Sequence, residues 1–92
     1  MSLVETSVLL KNSIWKVIEV ERGLVLIDGS FRQRIDLNDT AAVIWRLIDG
    51  ARSCRDIYDL LADAYGRDVV TKGDVFDVFN YLIDHHLVME IL

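Results

Sequence analysis

The chain has 92 residues, with 10 Lys and Arg against 15 Asp and Glu, and a net charge of −5. This length fits one domain spanning residues 1–92. Hydrophobic residues make up 52% of the chain, which excludes a disordered protein. No apolar run approaches the ~20 residues of a membrane span, and the acidic balance disfavours non-specific binding of nucleic acid. A lone cysteine, Cys54, without a visible secretory signal, indicates a cytoplasmic protein.

The first part of the chain has the two-residue period of β-strands. Strands are predicted over residues 14–21, 24–27 and 31–37, and Asp28-Gly29 predicts a tight two-residue hairpin turn. In the third strand, alternation separates Phe31, Gln33, Ile35 and Leu37 from Arg32, Arg34 and Asp36. Residues 14–37 therefore form a three-stranded antiparallel meander. Residues 1–12 are expected to be partly disordered. Within them, residues 8–10 either add a short strand or fill part of the core, and residues 1–3 resemble an expression-vector remnant.

The second part has helical periodicity and clear helix boundaries. The first helix is predicted over residues 39–49 with Asn38 as its cap. The second begins at Ser53, with Asp56 completing a capping box, and ends at Gly66; the third begins at Thr71 and runs to about His85. The predicted apolar stripes of the first two helices are Ala41, Ile44, Trp45 and Ile48, then Ile57, Leu60, Leu61 and Ala64. Residues 87–92 are predicted to be extended. The fold class is α+β and winged-helix-like: a three-stranded antiparallel sheet followed by three helices.

The third helix carries an unusually broad apolar surface. Its arc is about 160° wide, and Tyr81 extends it on the far side, whereas a helix on a small core needs little more than about 100°. Phe76, Phe79 and Ile83 form one shoulder of this arc. Either the sheet covers the shoulder or the shoulder is one wall of an apolar groove.

The third predicted strand offers the other wall of such a groove. An outer strand of a small meander keeps unpaired N–H and C=O groups that can pair with an added strand. Arg32 and Arg34 on this strand suit either protection of the edge or attraction of an acidic peptide. The same edge could pair two copies of the chain, so a dimer remains open.

Catalytic and metal-binding patterns are weak in this sequence. Cys54 has no histidine nearby in sequence, and His85 and His86 point about 100° apart on a helix, which makes them a poor chelating pair. The carboxylates of the second helix, Asp56, Asp59 and Asp63, fit a solvated face. We expect no enzymatic activity, no metal and no cofactor.

One function compatible with the predicted fold class is that of a winged-helix regulatory or structural domain, which binds DNA or dimerises. A recognition helix needs outward Lys, Arg, Asn or Gln side chains. The third helix instead presents Asp74, Asp77, Asn80 and Asp84 on its polar side. DNA binding is therefore disfavoured, although the fold class is compatible with it.

Several motifs resemble those of the PqqD family. They are LNDTAAVIW at 37–45, DGARS at 49–53, YG at 65–66, DV at 74–75 and LV at 87–88. The resemblance covers roughly residues 12–92. The sequence departs from the family at His86, where glycine is usual, and at 28–30, where DGS replaces a Tyr-Pro-Glu-Gly turn. The departure at His86 bears on the turn out of the third helix. The departure at 28–30 favours a stand-alone relative from a pathway other than pyrroloquinoline quinone synthesis, such as a lasso peptide pathway.

The resemblance implies a peptide recognition element, in which the leader segment of a ribosomally made precursor peptide is added to the third strand and packs on the third helix. The implied partners are that leader and a modifying enzyme, which would be a radical SAM enzyme, a protease or a cyclase; nucleic acid and membrane are not among them. Carried over by position, the peptide-binding residues are Phe31, Arg32, Gln33, Arg34, Ile35, Asp36, Leu37, Phe76, Phe79 and Ile83. Arg32 and Arg34 would attract acidic side chains of the leader. Which face of the strand lies in the groove stays open.

Overall fold

The computed structural model describes residues 3–91. Its strands are β1 (Leu9–Lys11), β2 (Trp15–Val20), β3 (Gly23–Asp28), β4 (Arg34–Leu37) and β5 (Val88–Glu90), and its helices are α1 (Asp39–Leu47), α2 (Cys54–Tyr65) and α3 (Lys72–Asp84). A three-stranded antiparallel sheet has the order β2-β3-β4, and β1 pairs with β5 in a second sheet. The expected α+β class, with three strands followed by three helices, is confirmed, and the winged-helix label fits only loosely.

The two ends of the described chain are held together by the β1–β5 pair. Of residues 8–10, Leu9 and Leu10 belong to β1, where Leu9 lies opposite Glu90. Val8 and Leu9 are buried in the core, whereas Leu10 is exposed. Leu3 packs against the core as well. Of residues 1–3, the predicted vector remnant, only Leu3 is described, since Met1 and Ser2 lie outside the described residues.

The connection between β3 and β4 differs from the predicted turn. Residues 29–33 form a five-residue loop, because the Asp28 carboxylate accepts hydrogen bonds from the Arg32 N–H and the Ser30 hydroxyl, both at 3.0 Å. Within this loop, Phe31 has a positive φ of 59°. The predicted third strand was therefore too long at its start, since β4 begins only at Arg34. The two-residue turn lies instead between β2 and β3, where Val20 pairs with Gly23.

Gly23 controls how closely β3 approaches the end of β4. Its φ is +125°, and a Cβ atom added there would lie 1.9 Å from the Leu37 carbonyl oxygen. No L side chain fits at this distance, so glycine is required for the pairing of β3 with β4.

The helix starts follow the predicted caps. The side chains of Asn38, Ser53 and Thr71 accept hydrogen bonds from the backbone of Ala41, Asp56 and Asp74, and the capping box of Ser53 and Asp56 is complete. The first helix ends two residues earlier than predicted, at Leu47. In α2 the predicted stripe was half wrong: Ile57 and Leu61 are buried, but Leu60 and Ala64 are exposed and Cys54 and Ala62 take their places.

The helices cover one face of the three-stranded sheet. α1 packs on β3 and β4, and α3 packs on α1, α2 and β5. Ile44, Phe79 and Leu82 are fully buried at the centre of the core. Among residues 3–91, no helix combines the length and the apolar character needed to cross a bilayer.

Candidate peptide-binding cleft

The outer edge of β4 presents unpaired backbone groups. In an antiparallel pair, alternate residues direct their N–H and C=O groups towards the partner strand. The N–H of Asp28 donates to the Gln33 carbonyl at 3.2 Å, and the register continues with Leu26 opposite Ile35. Ile35 and Leu37 therefore bond to β3. Arg34 and Asp36 point their N–H and C=O groups away from β3, towards the free edge.

The side chains of β4 divide between two faces of the strand. Leu37 is buried and Ile35 half-buried on the core side. Arg34 and Asp36 lie on the opposite face and form an exposed ion pair, with 2.9 Å between Arg34 Nε and Asp36 Oδ1. An added strand would thus meet a backbone edge flanked by apolar side chains on one face and by this ion pair on the other.

A cleft lies between the free edge of β4 and α3. It consists of two adjoining cavities of about 620 and 760 Å³, which share Asp36 and Tyr81. The first, at the Leu37 end of the strand, is lined on α3 by Asp74, Asp77, Val78 and Tyr81. The second, at the Arg34 end, is lined by Arg32, Gln33, Arg34, Ile35, Asp84 and His85. The cleft thus follows β4 along its whole length.

The helix wall of the cleft is not the predicted shoulder. Phe79 is 0% exposed and belongs to the core, so of the two alternatives that the sequence left open, Phe79 follows the one in which the shoulder is covered. Phe76 and Ile83 are half-buried, and at about 100° per residue they lie about 140° and 160° around α3 from Tyr81. Because Tyr81 faces the cleft, these three predicted residues lie on other sides of the helix. Phe76 packs edge to face on Phe79, with 5.3 Å between ring centroids.

The residues that line the cleft on α3 were missed as site residues in the sequence. They are Asp74, Asp77, Val78, Tyr81 and Asp84 on the helix, with His85 and His86 directly after it. Tyr81 is 41% exposed, and the centroid of its ring lies 4.3 Å from the centroid of the His85 ring. One feature of the sequence pointed to this wall: Tyr81 extends the apolar arc on the side away from the shoulder. A large ring at the border of a polar face indicates a surface contact.

Of the predicted strand residues, Phe31 is not brought into the cleft. Its side chain is 71% exposed in the loop before β4, where Lys16 Nζ lies 5.8 Å from the ring centroid. The other predicted residues of this segment, 32–37, line one or both cavities. The predicted strand residues 32–37 therefore lie together in the cleft. On α3, the cleft is lined by residues other than the predicted Phe76, Phe79 and Ile83.

His86, at the position where glycine is usual in the PqqD family, has a left-handed backbone conformation. Its φ is +59°, and its N–H donates to Ile83 O while the Leu87 N–H donates to Leu82 O, both at 2.9 Å, so α3 ends in a Schellman motif. The His86 carbonyl accepts bonds from Asn12 Nδ2 and Trp15 Nε1 at 2.9 and 3.0 Å. Histidine at this position is therefore compatible with the turn out of α3.

The cysteine of this chain, Cys54, lies outside the cleft. Cys54 is 1% exposed in the core, and burial, with a smaller contribution from the Glu90 carboxylate, raises the pKa of its thiol to about 11. Within residues 3–91, no group of three His, Cys, Asp or Glu side chains is placed to hold a metal ion. What the cleft offers is a backbone edge, an apolar strip and charged borders, which suit an extended peptide.

Comparison with known proteins gives the same family as the sequence motifs. Residues 23–88 match the family model for coenzyme PQQ synthesis protein D (PqqD). No curated protein matches the chain closely enough to be a relative.

Two similar solved structures establish the fold. TbiB1 in complex with the TbiA(beta) leader peptide is 18% identical, with a TM-score of 0.72, covering 89% of this chain and 96% of that one. Lasso peptide synthetase B1 complexed with the leader peptide is 24% identical, with a TM-score of 0.71 and 88% and 96% coverage. The family match spans well over half of the sequence, as the motifs predicted, and the chain belongs to the PqqD family.

Proposed function

We propose that this chain binds the leader segment of a ribosomally synthesised precursor peptide and presents it to a modifying enzyme. The observation that carries the proposal is the free edge of β4 beside the cleft of α3, in a chain of the PqqD family. The similar solved structures support it, because both were determined with leader peptides. The leader joins the sheet as a fourth strand.

The contacts divide between backbone and side chains. The outward N–H and C=O groups of Arg34 and Asp36 pair with the leader backbone. Apolar leader side chains lie on Ile35, Val78 and Tyr81. Arg32, in the loop before β4, and Arg34, at the start of β4, attract an acidic leader side chain.

The chain acts as a binding module in the cytoplasm, and the chemistry is supplied by the partner enzyme, a radical SAM enzyme, a protease or a cyclase. A lasso peptide or related pathway is favoured over quinone cofactor synthesis. A leader that orders on binding loses conformational entropy, so moderate affinity is expected.

The test uses two fluorescent peptides: the leader of the precursor encoded next to this chain's gene, and the TbiA(beta) leader in parallel. Asp36→Pro removes one outward N–H, and proline is tolerated where the N–H of an edge strand faces solvent. We expect saturable binding of the gene-linked leader to the wild type, and at least tenfold weaker binding to Asp36→Pro because a backbone bond is lost and the ring blocks the edge.

Two variants control this experiment. Asp36→Asn removes the carboxylate but keeps the N–H, and it should bind within a few-fold of the wild type. Val17→Pro removes an outward N–H from β2, the opposite edge of the same sheet, and should bind like the wild type. No saturable binding of the gene-linked leader, or wild-type affinity of a folded Asp36→Pro, would overturn the proposal.

A further inference from the structure

The two ends of the cleft differ in charge. The cavity at the Leu37 end is bordered by Asp36, Asp74 and Asp77, and its lining within residues 3–91 includes no Lys or Arg. The cavity at the Arg34 end contains Arg32 and Arg34 together with Asp36 and Asp84. An extended peptide in the cleft therefore meets a negative end and a mixed end.

At the Leu37 end, the two carboxylates on α3 are not neutralised by an ion pair with any of residues 3–91. Asp36 is paired with Arg34, but within the described residues neither Asp74 nor Asp77 forms an ion pair. Asp74 lies in the first turn of α3, where the helix dipole stabilises a carboxylate. Asp77 lies one turn further along, exposed at the border of the cleft, and has no such compensation.

An apolar surface lies directly beside these carboxylates. Leu37, Ala41, Val78 and Tyr81 line the same cavity. A Lys or Arg side chain suits this combination, because its aliphatic stem packs on apolar groups while its charged end reaches a carboxylate. The net charge of −5 also attracts cationic peptides at longer range.

We infer that the leader recognised by this chain carries a basic residue, Lys or Arg, that lies at the Leu37 end of the cleft between Tyr81 and Asp77. This inference rests on the proposed function and adds a specificity to it. The acidic wall of α3 selects a basic side chain at one end, and Arg32 and Arg34 select an acidic one at the other end.

The test is a selection from a phage-displayed library of random 16-residue peptides on the wild-type protein, followed by affinity measurements on the enriched peptides. We expect enriched peptides to share a Lys or Arg. Asp77→Lys should bind them about five- to tenfold more weakly at low ionic strength, with the difference shrinking in high salt. Selection on Asp77→Lys should replace the basic residue by Asp or Glu. Lysine is a good helix former, so the variant should fold.

Asp68→Lys is the matched control, since it makes the same charge change at an exposed position outside both cavities. It should bind like the wild type. If enriched peptides lose binding to Asp36→Pro but share no basic residue, or bind Asp77→Lys as well as the wild type, the basic specificity is overturned and the proposed function stands. If no peptide that depends on the β4 edge is enriched, the proposed function fails as well.

Discussion

Phe79 and Tyr81 lie two positions apart in α3 but have opposite roles. Phe79 is 0% exposed at the centre of the core, whereas Tyr81 is 41% exposed and lines both cavities of the cleft. The helix therefore supports the fold with one side and forms the wall of the cleft with another.

Substitution of these two residues should separate stability from binding. Phe79→Ala should lower the free energy of unfolding by about 3–5 kcal/mol, because it leaves a cavity in the core. Tyr81→Ala should cost less than about 1 kcal/mol, since the ring is partly exposed, while weakening leader affinity. Urea denaturation and peptide titration measure the two effects. A Tyr81→Ala protein with full leader affinity would remove Tyr81 from the binding site.

His86→Gly should stabilise the protein. His86 has a φ of +59°, which is costly for a residue with a Cβ, and glycine relieves this cost while making the unfolded chain more flexible. We expect a net gain of about 0.5–1 kcal/mol in the free energy of unfolding. His85→Gly is the control, because the φ of His85 is −92° and no strain is relieved there. A lower melting temperature for His86→Gly than for the wild type would contradict this account of the turn.

Cys54 should react slowly with iodoacetamide in the folded protein. It is 1% exposed, and burial raises the pKa of its thiol to about 11, so little thiolate is present at pH 8. In urea the thiol should react at the rate of a free cysteine. The folded pKa is above the ordinary value of 9.0, so the unfolded state loses its proton first and stability should fall as the pH rises from about 9 to 11. Rapid labelling of the native protein would contradict the buried placement.

Features that depend on residues close together in the chain were predicted correctly from the sequence. The caps at Asn38, Ser53 and Thr71 depend on a side chain and a backbone N–H three residues later, so the sequence carries the whole interaction. The class of the fold followed from the change of hydrophobic period near Leu37.

Features set by tertiary packing were not predictable in the same way. The width of the apolar arc on α3 was visible, but the rotation that buries Phe79 and turns Tyr81 to β4 depends on how α3 docks on α1, α2 and β5. Likewise, Asp28-Gly29 suits a tight turn, but the Asp28 side chain bonds to Ser30 and Arg32 and opens a longer loop. The strand wall of the candidate cleft was therefore predicted, and its helix wall was not.

Amide hydrogen exchange of β4, measured by NMR with and without a saturating concentration of the gene-linked leader, tests the central claim most directly. In the free protein, the amides of Ile35 and Leu37 are protected by β3, while those of Arg34 and Asp36 face the open edge. We predict that the leader slows exchange at Arg34 and Asp36 by at least about tenfold, because both amides gain a backbone partner. Saturable binding that leaves exchange at Arg34 and Asp36 unchanged, or that protects the β2 edge at Val17 and Glu19 instead, would contradict strand addition to β4.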